Sequence, residues 1–174
     1  MHKLRELYRT WKGELPTKVV KLEGAGSNRL YFKMIGSDGQ SVIGTVGTSR
    51  EENHAFIYLA NHFAAQRLPV PRVLAVADDE MRYLQDDLGA QSLFDAIAAG
   101  RRRGGQYSPE EIQLLLRTIR LLPAMQFQGA DAIDWSNCYP QPEFDHDSVM
   151  FDLNYFKYCF LKATQVDFNE KKLE

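Results

Sequence analysis

Strand-like sequence ends at Leu88-Gly89 in this chain and does not return, which restricts the fold to a sheet-bearing part followed by a helical one. Upstream, residues 18–23 (KVVKLE), 30–35 (LYFKMI), 41–46, 73–77 and 81–85 carry alternating, β-branched or aromatic residues between turn signals. Gly36-Ser37-Asp38-Gly39 joins the second and third segments as a turn, and Leu68-Pro69-Val70-Pro71 forces extended backbone before the fourth. One helix interrupts the series, 51–67, with Phe56, Leu59, Ala60 and Phe63 at helical spacing. An amphipathic N-terminal helix precedes it all, with Leu4, Leu7, Tyr8 and Trp11 on one face. Downstream, Ser92 caps SLFDAIAAG, and Ser108-Pro109-Glu110-Glu111 opens a longer helix whose stripe of Ile112, Leu115, Leu116, Ile119 and Leu122 is expected to be buried. Pro123 is expected to kink that helix and Gly129 to end it, and a last helix is expected over 147–162 with Met150, Leu153, Phe156 and Phe160 as core. The expected class is α+β, with residues 1–87 forming a five-stranded antiparallel lobe and 88–174 a helical one.

The charge balance narrows the partners. Twenty-one Lys plus Arg against twenty-three Asp plus Glu leave a formal charge of -2, so no general field gathers nucleic acid or an anionic membrane. Recognition must therefore come from a local site. Cys138 and Cys159 are too few and too far apart for a disulfide framework or a zinc site, which fits a reducing compartment. No N-terminal signal core is present and no apolar run approaches the ~20 residues of a membrane-spanning helix, so a cytoplasmic location is expected.

Three features bear on chemistry. Gly24-Ala25-Gly26-Ser27, followed by Asn28 and Arg29, is a turn between two strands; it serves either as a tight hairpin or as a loop whose backbone N–H groups approach a phosphate. Glu52 begins the interrupting helix on the face of Phe56, either closing a capping box with Ser49 or orienting a cation towards a phosphate. Leu84-Gln85-Asp86-Asp87-Leu88-Gly89 occupies the junction of strand and helix, where a two-lobed protein places its crevice. The third strand has no lysine, and the nearest cations are Lys33 and Arg29. His54, His62 and His146 read as surface or interhelical residues, and Asp145-His146-Asp147 reads as capping and first-turn charge.

The hairpin GAGSNRLYFK, the helix SREENHAFIYLANHF, the strand LPVPRVLAV and the joint YLQDDLG together resemble the aminoglycoside phosphotransferase and choline kinase-like family. The likeness is greatest to bacterial cell-wall amino-sugar kinases, which act on N-acetylmuramate or N-acetylglucosamine and carry a loop of the GSxRxYFR kind. The resemblance implies a protein-kinase-like fold, with nucleotide phosphates at Gly24 to Arg29, the helix glutamate at Glu52, and adenine contacts at Gln85, Asp86, Asp87 and Leu88. It implies ATP and magnesium as cofactors and a sugar or amino-sugar hydroxyl as acceptor, with no nucleic acid or membrane partner.

Two departures accompany the resemblance. The strand lysine is missing, and no HxD-x4-N-like loop or later DFG-like or IDxD segment supplies the acceptor carboxylate or the magnesium ligands. The expectation is a truncated phosphotransferase that holds no catalytic residue of its own. The alternative is a degenerate kinase fold used as a binding or regulatory module.

Overall fold

The computed structural model describes residues 1–23, 28–164 and 166–173; Gly24, Ala25, Gly26 and Ser27 of the expected phosphate loop lie outside the described residues. The chain forms two compact units, Met1–Tyr139 and Pro140–Glu174.

The first unit is built on five strands, β1 (Lys18–Lys21), β2 (Leu30–Ile35), β3 (Ser41–Val46), β4 (Val73–Val76) and β5 (Arg82–Asp86), all paired antiparallel in the order β1-β2-β3-β5-β4. β5 therefore sits inside the sheet, between β3 and β4. Side chains alternate across the sheet plane, and the register assigns each residue to a face. Phe32, Met34, Val42 and Leu84 share one face, where they pack with Leu4 and Tyr8 of α1 (His2–Lys12) as the core. Gly44 makes that approach possible, because a side chain there would meet Met34 Sδ at 2.6 Å and Leu4 Cδ2 at 2.9 Å. The other face carries Lys33, Ile43 and Gln85 in one row and Tyr31, Thr45 and Tyr83 in the next.

Over that second face lies α2 (Arg50–Ala65), where Phe56 stacks on Tyr83 with ring centroids 5.0 Å apart. Its start is fixed by a fully buried Asn53, whose Nδ2 donates to the Glu80 carbonyl at 2.9 Å. The carboxamide of Asn53 fills the space a side chain at Gly47 would need.

The capping sequences behave as read. Ser92 and Ser108 each close a capping box, with Asp95 and Glu111, at the starts of α3 (Leu93–Ala96) and α5 (Pro109–Pro123). Between them the SLFDAIAAG run divides, with Ile97 as the break before α4 (Ala98–Arg102). Pro123 lacks the N–H that would continue α5, and the chain proceeds in a wider turn, with Gly129 N–H donating to the Ala124 carbonyl at 3.0 Å. The stripe on α5 is a correction: Ile112, Leu116, Ile119 and Leu122 are exposed, because among the described residues nothing covers that face, and α5 instead buries Glu111, which accepts from Gly100 N–H of α4 at 2.7 Å.

The second unit begins its helix α6 (His146–Phe156) at Asp145, whose side chain accepts from Ser148 N–H at 2.9 Å, as the capping reading expects. A wide turn at Lys157–Leu161 follows, and Lys162 pairs with Glu170 of the short α7 (Glu170–Leu173) at 2.8 Å. Here too the expected core residues Met150, Leu153, Phe156 and Phe160 are exposed, since among the described residues of this unit no further layer covers them. Among the described residues no helix is long and apolar enough to cross a membrane.

Candidate functional site

Where β5 ends, the chain runs on without regular structure through residues 87–92, and this linker borders a cavity of about 260 Å³. The walls come from separate parts of the sheet: Leu22 just past β1, Lys33 from β2, Ile43 from β3, and Pro71 before β4. Gln85, Asp86, Asp87 and Leu88 close it. All four residues expected at the joint thus meet around one space. Apolar walls with a few polar groups at the edge suit a flat, partly polar ligand.

The two aspartates are engaged within the protein. Asp86 holds Arg72 through both carboxylate oxygens, Nε to Oδ2 at 2.9 Å and Nη2 to Oδ1 at 3.1 Å, and also accepts the Arg72 backbone N–H at 3.0 Å. Asp87 is more deeply committed, with a side chain only 5% exposed. Its Oδ2 accepts from Lys33 Nζ at 2.8 Å and from Ser41 Oγ at 2.7 Å, while Oδ1 accepts from Gly89 N–H at 2.9 Å. Lys33, and then Ser41, draw the Asp87 carboxyl down to about 2, against a smaller opposing effect of burial. One carboxylate thereby fastens β2, β3 and the linker together. Gly89 serves this geometry with φ +90, a left-handed conformation that side chains disfavour. The carboxylates of Asp86 and Asp87 are thus both committed within the protein, and the Asp86 N–H is donated to the Arg72 carbonyl at 3.1 Å.

At the other end of the same sheet face stand Arg29 and Glu52. Arg29 Nη2 lies 3.0 Å from Glu52 Oε1 and donates to the Glu52 carbonyl at 3.2 Å, and its guanidinium lies over the Phe56 ring, 5.3 Å from the centroid. Arg29 is thus the cation that meets the helix acid, and Lys33 is not. Only half of the capping box at Ser49 forms: Glu52 N–H donates to Ser49 Oγ at 3.1 Å, but it is the Glu51 carboxylate that takes the Ser49 hydroxyl, at 3.0 Å. The Glu52 carboxylate is turned to Arg29, and it is not an inward group, since its side chain is 41% exposed.

Sequence reasoning did not nominate Leu22, Ile43, Ser41, Pro71 or Arg72 for this site. Strand parity would have placed Ile43 beside Lys33, whereas the contribution of Arg72 depends on the irregular pairing of β4 with β5. No group of three or more His, Cys, Asp or Glu side chains able to hold a metal ion occurs among the described residues. The carboxylates nearest the cavity are taken by Arg72 and Lys33, so the donor set does not fit magnesium.

A larger concavity, of about 470 Å³, is lined by Arg50, His54, Glu80 and Asn137 among others. Its polar groups satisfy one another: His54 bridges Glu80 at 3.2 Å and Asn137 at 3.1 Å, and Arg50 reaches Glu80 at 3.0 Å. Among the described residues no strand lines it, whereas Lys33, Ile43, Gln85 and Asp86 of the sheet line the smaller cavity, which is the better candidate. His62 is interhelical as read, with Nε2 at 2.9 Å from the Gly129 carbonyl. No protein-family model matches the chain, and no curated protein matches it.

Proposed function

We propose that this chain binds ATP and forms the nucleotide-binding part of a phosphotransferase acting on a small-molecule hydroxyl, a sugar or amino sugar. The observation that carries the reading is the cavity itself. Its walls include the apolar Leu22 and Ile43 on the sheet side, and Asp86 at the end of β5 with residues 87–90 of the linker forms its edge, a lining that suits a flat, partly polar base. In the sequence the glycine-rich segment begins two residues after Leu22, which suits a triphosphate held close to the base. The arrangement agrees with a protein-kinase-like lobe.

Every residue assigned here binds nucleotide. Transfer of the γ-phosphoryl group to a hydroxyl needs a carboxylate to orient the acceptor and further ligands for magnesium, and among the described residues no group of three or more His, Cys, Asp or Glu side chains could hold the metal. The second reading, a kinase-like module that binds without catalysis, is favoured by β3, whose residues on this face are Ile43 and Thr45 rather than a lysine.

Calorimetric titration with ATP tests the common part of both readings. Saturable binding that is lost on Gly26→Asp, with the fold retained by circular dichroism, supports a nucleotide site; no binding by the wild-type chain refutes it. Detection of a phosphorylated amino sugar by mass spectrometry in the presence of ATP and magnesium separates transferase from module.

A further inference from the structure

We propose that residues 128–137 form a strap fastened along α2 by four side chains one helical turn apart, and that the far end of this strap opens when His54 loses its proton. His54, Tyr58, His62 and Gln66 follow one another at four-residue spacing, so they make one polar stripe on the helix, with Gln66 at its C-cap. The strap meets that stripe in reverse order. At its near end His62 Nε2 donates to the Gly129 carbonyl at 2.9 Å, and Gln66 Nε2 to the Asp131 carbonyl at 3.3 Å. Towards its far end Tyr58 Oη accepts the Asp134 N–H at 2.6 Å, and His54 Nε2 meets Asn137 Oδ1 at 3.1 Å. The two ends are held differently. Gly129 is buried, and a side chain there would meet Phe63 Cε1 at 3.2 Å, so packing fixes the near end. Trp135 at the far end is 50% exposed, and the 470 Å³ concavity brings water to His54 and Asn137, so polar contacts hold that end.

Of these four fastenings, the one at His54 depends on charge. A carbonyl accepts from His62 Nε2 whether that ring carries one proton or two. His54 stands between two acceptors, with Nδ1 3.2 Å from Glu80 Oε1 and Nε2 facing Asn137 Oδ1. The Asn137 carboxamide is oriented by its Nδ2, which donates to the Asp134 carbonyl at 3.4 Å, so its oxygen is the atom turned to the ring. Both ring nitrogens must therefore carry protons, and the imidazolium is the form that closes the strap. On deprotonation the remaining proton stays with the carboxylate, the stronger acceptor, and a bare Nε2 is left facing an oxygen. The surrounding charges leave that contact alone. Arg50 takes the other oxygen of Glu80 at 3.0 Å, Glu51 turns to Ser49 and Asp134 to Ser136, while Cys138 and Tyr139 complete the rim. The bonds to Asn137, and then to Glu80, hold the imidazole above its ordinary value. With that sign the fastening is present below the unfolded value and is lost as pH rises through the folded one.

Amide hydrogen exchange of the whole chain, corrected for the intrinsic effect of pH on exchange, tests this. The Asn137 and Cys138 amides, which donate to the Asp134 and Trp135 carbonyls, read the far end, and the Gly129 amide, which donates to the Ala124 carbonyl, reads the near one. Between about pH 6 and about pH 8 protection is expected to fall about threefold at Asn137 and Cys138 and to hold at Gly129. His54→Gln is expected to abolish the step. Asn137→Asp is expected to move it to higher pH, because a carboxylate facing Nε2 favours the imidazolium. Protection at Asn137 and Cys138 that is flat with pH overturns the proposal. So does a step that survives in His54→Gln, or an equal step at Gly129, which would report general loosening of the unit. Should His54→Gln fail to fold, Asn137→Asp decides alone, and a step it leaves unmoved overturns the role of His54.

Discussion

Replacing Asp87 with asparagine removes the charge from the most shielded carboxylate at the cavity while keeping its shape. In the folded chain that carboxyl is drawn from 3.8 to about 2, chiefly by Lys33 and then by Ser41. A difference of roughly two pH units corresponds to about 2 kcal/mol of stability once the partial exposure of Lys33 is discounted. The sign follows from the direction of the shift. A carboxyl held below its unfolded value contributes fully above about pH 4, and the contribution fades as pH falls through about 2, with roughly half remaining near pH 3. Asp87→Asn should therefore lower stability by about 2 kcal/mol at pH 7 and by about 1 kcal/mol at pH 3, the former equivalent to a fall in Tm of about 4–8 °C. Urea denaturation followed by tryptophan fluorescence measures this in the right unit, since Trp11 and Trp135 both lie within Met1–Tyr139. A loss under about 0.5 kcal/mol at pH 7, or an equal loss at both pH values, would refute the reasoning that the carboxylate fastens linker to sheet through its charge.

The remaining expectations concern the two flanks of the same unit. Leu4→Ala, at a fully buried position under the sheet, should cost about 2–5 kcal/mol, whereas Ile119→Ala on the exposed face of α5 should cost less than about 1 kcal/mol; chemical denaturation compares them directly. Hydrogen bonds to Asn137 and then Glu80 raise the His54 imidazole above its ordinary value. A raised group contributes stability that is present below the unfolded value and lost as pH rises through the folded one. An NMR titration should find His54 upshifted, and His54→Gln should remove that part of the pH dependence; an unshifted imidazole would show that the Asn137 and Glu80 contacts do not hold it.

The elements that were legible in the sequence are those encoded locally. Alternation and turn residues marked all five strands, and the serine at 108 with proline and glutamate behind it marked the start of α5 to the residue. The cation for Glu52 was not legible, because Arg29 and Lys33 stand at similar distances along the chain, and only register and the stacking of Phe56 on Tyr83 bring one of them to the acid. Asp86 and Asp87 illustrate a second limit. Adjacent aspartates look alike as letters, yet alternation sends one to Arg72 and the other to Lys33, and neither carboxylate is left over for a ligand. The apolar stripe of α5 shows a third: periodicity reports that a face is apolar, not that anything in the same unit covers it.

The place of β5 inside the sheet has a mechanical meaning. The chain that enters the helical segment leaves from a strand hydrogen-bonded on both sides, so traction through residues 87–92 loads two antiparallel ladders in shear, and many bonds must fail together. β1 at the edge has a single ladder, which can be peeled open bond by bond. Pulled from its two ends in an optical trap, this lobe should yield first at its edge strand, while the strand that anchors the cavity holds to the highest forces.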